Sequence, residues 1–80
     1  MATVRLLYFA SLREAAGRDE ETVQSTAADL AALYVDTAAR HALQWPRERL
    51  RVAVDGAFAR WDDALRDGSE VAFIPPVSGG

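Results

Sequence analysis

Apolar and polar positions alternate along several short stretches of the chain and recur at helical spacing along one longer stretch. From Thr3 to Phe9, a period-two repeat puts Val4, Leu6 and Tyr8 on one side and Arg5, Leu7 and Phe9 on the other. The β-branched and aromatic content of so short a run predicts a strand, with the Arg5 side outward and Phe9 partly exposed at the strand end. Ser11 followed by Glu14 has capping-box spacing, and Gly17 stands where a short helix would close. Glu20 to Ser25 predicts a second strand, with Asp19-Glu20-Glu21 read as a solvated acidic turn beside Arg18. The alanine- and leucine-rich stretch from Ala27 to Arg40, opened by Thr26 with Asp29 three residues on, predicts the main helix. Leu30, Leu33, Tyr34, Thr37 and Ala38 form its apolar face.

Trp45-Pro46 breaks that helix and begins a loop, because the residue before a proline is pushed away from helical angles. Arg51 to Val54 alternates again with Val52 and Val54 inward, and Asp55-Gly56 predicts a tight turn into Ala57 and Phe58. Trp61 to Leu65 is irregular, with Leu65 tucked in. Asp67-Gly68 then turns into a last strand, Glu70 to Ile74, with Val71 and Phe73 inward and Ala72 and Ile74 outward. Two strands, a helix and further strands predict an α+β domain.

Eighty residues make one domain, and the half of them that are hydrophobic can fill its core. A net charge of −3 argues against a binder of nucleic-acid phosphates, which needs a concentrated basic surface. All nine basic residues are arginine, so no lysine is available for Schiff-base chemistry, for a P-loop or as an isopeptide acceptor. Zero cysteine removes disulfides, thiolate catalysis and Cys-based zinc sites. No stretch reaches the roughly 20 apolar residues of a membrane span, and the start of the chain has no signal-peptide pattern, so a cytoplasmic protein is expected.

The body offers little chemistry. His41, the single histidine, reads as a surface residue near the helix end and leaves no recognisable metal site. Asp62-Asp63 and the acidic turn lack the spacing of a calcium loop, and neither Ser11 nor Ser78 has a base arranged to activate it. The unusual stretch is the end of the sequence. Pro75 and Pro76 fix φ and remove two backbone donors, so the sheet is expected to stop near Ile74. Val77, Ser78, Gly79 and Gly80 then form a thin, flexible tail ending in a carboxylate. The division is a folded domain over residues 1–74 and a Gly-Gly tail over 75–80.

Asp67-Gly68-Ser69-Glu70-Val71-Ala72-Phe73-Ile74 leading into Pro75-Pro76-Val77-Ser78-Gly79-Gly80, together with Leu7-Tyr8-Phe9-Ala10-Ser11-Leu12-Arg13-Glu14-Ala15-Ala16-Gly17 near the start, resembles the MoaD family. Its members are the small, ubiquitin-like sulfur-carrier subunits of molybdopterin synthase. The resemblance implies a β-grasp fold: a mixed sheet with one main helix across it and the last strand beside the first. It also implies a carrier that is not itself an enzyme and holds no cofactor stably. An adenylating partner of the MoeB or ubiquitin-activating type would use ATP and Mg²⁺ to activate Gly80, which becomes a thiocarboxylate (1-thioglycine) with Gly79 beside it. The tail would then enter the large synthase subunit, in a heterotetramer, and give sulfur to a cyclic pyranopterin precursor.

On this reading Phe9, Phe58 and Ile74 form a docking patch with Arg13 at its rim, and Pro75, Pro76, Val77 and Ser78 contact the partner along the tail. Pro76 to Gly80 can extend on the order of 16 Å, enough to reach a buried site. Asp55 stands where the family usually has Asn, and residues 40–49 have no clear family pattern. Carriers of the same fold for thiamine, cysteine or tRNA thiolation, and ubiquitin-like protein modifiers, are the alternatives that the same tail would serve.

Overall fold

Strand β1 (Ala2–Tyr8) forms where the alternation predicted it, one residue earlier at each end. The structure, a computed structural model, describes residues 1–76. β1 pairs antiparallel with β2 (Glu20–Ser25) and parallel with β5 (Glu70–Ile74). Beyond β5 lie β3 (Arg51–Val54) and β4 (Ala57–Ala59), giving one five-stranded mixed sheet of order β2-β1-β5-β3-β4. Helix α1 (Ala10–Ala16) follows β1, helix α2 (Leu30–His41) follows β2, and a single 3₁₀ turn spans Arg47–Arg49.

Leu30, Leu33 and Tyr34 of α2 pack on Val4, Leu6, Val71 and Phe73 of the sheet in one buried cluster. This is the ubiquitin-like β-grasp arrangement that the resemblance implied. Register keeps the inward residues together: Leu6 faces Val71 and Tyr8 faces Phe73 across the parallel pair, and Val52 faces Phe73 on the other side. Each such side chain contributes about 1.5–3 kcal/mol by leaving water. Phe73 is the centre of the cluster, with Tyr34 edge-on at 5.1 Å and Trp61 stacked at 6.0 Å. Trp61 therefore belongs to the core margin, although its surroundings, Asp62-Asp63-Ala64, read only as irregular chain.

The loop at Trp61 to Ala64 also starts α2. The four backbone N–H groups that open a helix have no partner within it. Here Leu30 N–H donates to Asp63 O at 3.1 Å and Ala31 N–H to Trp61 O at 2.9 Å. Asp29 supplies the rest, its Oδ1 accepting from Ala32 and its carbonyl from Leu33. The cap is thus Asp29 and not Thr26, and the helix begins three residues later than its composition predicted. At the other end Ala42 adopts φ 55° and Leu43 N–H reaches Ala38 O, a closure usually made with glycine.

Ser11 does not cap α1. Phe9 occupies that position with extended backbone, and Ser11 Oγ instead accepts a 2.9 Å hydrogen bond from Trp45 Nε1, tying the loop after α2 to α1.

Asp55 and Gly56 have φ of 51° and 86°, the paired left-handed angles of a tight hairpin turn. Asp55 also continues the β3–β5 ladder, donating its N–H to Glu70 O at 2.8 Å and accepting Glu70 N–H on Oδ1 at 2.9 Å. An asparagine oxygen would accept the same bond, so the departure from the family's usual residue is accounted for within the fold. Asp55→Asn is expected to change unfolding free energy by less than about 0.5 kcal/mol, and Asp55→Ala to lower it by about 1 kcal/mol or more. Urea denaturation checks this, and equal losses in the two variants would contradict the assignment.

Candidate functional site

The sheet face opposite the core carries one cross-strand row: Leu7 on β1, Ala72 on β5, Ala53 on β3 and Phe58 on β4. Large residues stand at the ends of the row and two alanines in the middle, so the face is concave. With Phe9 and Ile74 at the end from which the chain leaves β5, they line an apolar groove of about 310 Å³. Ala53 and Ala72 are buried as its floor, while Phe9 and Phe58 stand 46% and 69% exposed as its walls. At the opposite end are Gly56 and Glu70, the latter paired with Arg5.

The structure therefore brings Phe9, Phe58 and Ile74 together. It adds Leu7, Ala53 and Ala72, which sequence reasoning did not single out because alanine carries no signal for a groove floor. Arg13 lies on α1, 3.8 Å from Asp19, and does not line the groove. Just past β5, Pro75 is buried and Pro76 is exposed. Val77, Ser78, Gly79 and Gly80 lie outside the described residues.

A larger groove of about 680 Å³ runs between β2 and α2, lined among others by Glu21, Thr22, Gln24, Asp36 and Arg40. Its Glu21 and Arg40 serve the fold. Glu21, expected in a solvated turn, is the first inward residue of β2 and only 11% of its side chain is exposed. Its carboxylate accepts from Tyr8 Oη at 2.5 Å and from Arg40 at 3.1 Å, lies 2.6 Å from His41 Nε2, and pairs with Arg18. His41 is consequently no surface residue: its side chain is 17% exposed and its ring stands edge-on to Tyr8 at 5.7 Å. No signal in the sequence linked Glu21 with His41, since the contact depends on where α2 ends. Among the described residues no group of side chains could hold a metal ion, and no helix is long and apolar enough to cross a membrane.

What distinguishes the apolar groove is its place beside the exit of the tail, and relatives bear on that pairing. A sequence profile of the ThiS family matches residues 6–80. The chain belongs to the ThiS family. This ThiS-family chain is 39% identical over 80 residues to the molybdopterin synthase sulfur carrier subunit of Escherichia coli (strain K12), covering 96% of this chain and 99% of that one. The protein of the same name from Chlamydomonas reinhardtii is 40% identical over 83 residues, covering 96% and 98%. A solved structure assigned to subunit 1 of a molybdopterin converting factor from Pyrococcus furiosus matches with TM-score 0.79 and 30% identity, over 96% of this chain and all of that one. A complex of subunits 1 and 2 of the molybdopterin-converting factor from Helicobacter pylori contains a chain of the same fold, with TM-score 0.67, 20% identity and coverage of 98% and 99%. The likeness read from the two ends of the chain thus extends along nearly all of it.

The Glu21 cluster sets a pH dependence for this ThiS-family fold. Burial raises the Glu21 pKa, but hydrogen bonds from Tyr8, His41 and Arg40 outweigh it and bring the carboxyl from 4.5 down to about 2. The unfolded chain binds this proton more readily, so the contribution is complete above pH 4.5 and is lost as pH falls toward 2. Stability is expected to drop across that window by on the order of 2 kcal/mol more in the native chain than in Glu21→Gln. Urea midpoints measured from pH 6 to pH 2.5 check this, and parallel pH profiles for the two proteins would contradict it.

Proposed function

We propose that this chain is the sulfur-carrier subunit of a molybdopterin synthase, a non-catalytic partner whose reactive group is the Gly80 carboxylate. The observation that carries the reading is the position of the tail exit at the end of the apolar groove, where Phe9 and Ile74 meet. A groove there lets one docked surface hold the body while the tail reaches onward. Identity of 39% and 40% over nearly the whole chain to the two carrier subunits named above supports the choice of pathway.

A carboxylate is a poor electrophile, and the body has no cysteine to lend as a nucleophile. Activation as an acyl-adenylate by an adenylating partner using ATP and Mg²⁺, with pyrophosphate released, supplies a leaving group. A donor persulfide then displaces AMP to give an acyl disulfide, and a second thiol on the donor cleaves its S–S bond, releasing the thiocarboxylate and leaving a disulfide on the donor. Glycine at positions 79 and 80 keeps the end thin enough for a narrow channel. The large synthase subunit receives the tail, and the sulfur passes to the pyranopterin precursor. Ordering the tail costs roughly 1 kcal/mol or more per residue, which the groove offsets by burying apolar surface against that subunit.

Charged replacements in the groove separate docking from folding. Phe58→Asp is expected to weaken binding to the large subunit at least about tenfold while the thermal midpoint stays close to native, since Phe58 is largely exposed in the free protein. Calorimetric titration and thermal melts check this, and unfolding of the variant would place Phe58 in the core.

Activation is read by intact-protein mass spectrometry. Incubation with ATP, the adenylating enzyme and a sulfur donor should add about 16 Da, the replacement of one carboxylate oxygen by sulfur. Removal of Gly80 should abolish both that shift and molybdopterin formation while leaving the fold intact. Product formation by the chain without Gly80 would overturn the proposal.

A further inference from the structure

Among the described residues, five of the nine arginines, Arg5, Arg13, Arg18, Arg40 and Arg60, sit beside a carboxylate. Three others are held differently. Among the described residues, Arg47 lies 5.7 Å from the centroid of the Trp61 ring, Arg49 5.6 Å from that of Trp45, and Arg51 5.4 Å from that of Phe58, and none of the three has a carboxylate within salt-bridge distance. An aromatic ring attracts a guanidinium through its quadrupole but takes up none of its hydrogen-bonding fork, which stays available to an anion.

Two of these cations stand where the chain leaves the sheet. Arg51 is the cross-strand partner of Ile74, the last residue of β5, and its ring partner Phe58 is a wall of the groove. Trp45, beneath Arg49, is bonded to Ser11 of α1, and α1 begins at the end of β1, which runs parallel to β5. Arg47 is set apart, because Trp61 stacks on Phe73 on the core side. A chain of net charge −3 thus has two exposed arginines at its tail exit, with the exposed Glu48 of the 3₁₀ turn beside Arg49.

We infer that Arg49 and Arg51 engage carboxylates on the docking face of the large molybdopterin synthase subunit, so that the groove supplies apolar contact and its rim supplies charge. This rests on the carrier reading above. Guanidinium forks match carboxylates in bidentate geometry, and unlike charges at a rim speed association and fix orientation more than they slow dissociation. Against an acidic surface the rest of this chain is repelled, so the two arginines select the approach that brings the tail to the partner first. A nucleic-acid or membrane phosphate surface is a poor match, because the chain as a whole carries twelve acidic residues against nine arginines.

The test is the association rate of the full chain with the large subunit of the same organism, measured by stopped flow between about 20 and about 500 mM salt. The Arg49→Glu/Arg51→Glu double variant should associate at least about tenfold more slowly at low salt and lose most of the salt dependence. Arg49→Lys/Arg51→Lys should retain most of both, and Arg49→Gln/Arg51→Gln should fall between, with native circular dichroism throughout. A charge-reversed variant that associates like the native chain with the same salt slope would overturn the inference and leave the carrier reading standing. An equal loss in the lysine variant, independent of salt, would also overturn it, by assigning the arginines to packing on their rings. Absence of any complex with the native chain would overturn both.

Discussion

The parallel ladder between the first and last strands is the constraint on which the rest of the molecule depends. Parallel neighbours finish at the same edge of a sheet, so the segments that leave β1 and β5 must emerge together. Phe9 and α1 leave from one strand, and Pro75 and Pro76 from the other. β3 runs antiparallel to β5 and begins at that same edge, which brings Arg51 opposite Ile74. β5 is held by pairing on both sides, with β1 and with β3, so the end of the strand is fixed at the centre of the sheet.

The two faces of that sheet are built by opposite choices of side-chain size. On the helix side Leu6, Val52, Val71 and Phe73 fill the space under α2 and are almost wholly buried. On the other side Ala53 and Ala72 leave the middle low between Leu7 and Phe58. The groove is open because the fold does not need it filled. The polar groove beside β2 follows a different logic, since its Glu21, Arg40 and His41 already satisfy one another and hold the end of α2 to the sheet.

Much of this was legible in the sequence, for identifiable reasons. Alternation located β1, β3 and β5 to within a residue, because burying one face of a strand imposes a strict period of two. Asp55-Gly56 announced its hairpin because few other residue pairs tolerate two left-handed positions. The exposed aromatics Phe9 and Phe58 were recognised, although their meeting in one groove came from the fold and not from their spacing. Helix ends were less legible. Ser11 and Thr26 looked like caps, but Ser11 is occupied by Trp45, and the start of α2 is decided by carbonyls of Trp61 and Asp63 supplied from about thirty residues away. Ala42 ends α2 in a conformation that no local sequence preference announces. Glu21 and His41 were missed for the same reason, as each has a polar side chain whose burial only tertiary contact explains.

Amide hydrogen exchange of the chain, free and bound to the large synthase subunit, tests most directly whether the outer face at the tail exit is the working surface. In the free protein the amides of Leu6, Val71 and Phe73 should open only with global unfolding. On binding, new protection should appear in β3, β4, the end of β5 and the residues after Pro76, with the β2–α2 groove unchanged. Protection centred on β2 and α2, with the outer face exchanging as in the free chain, would contradict the account.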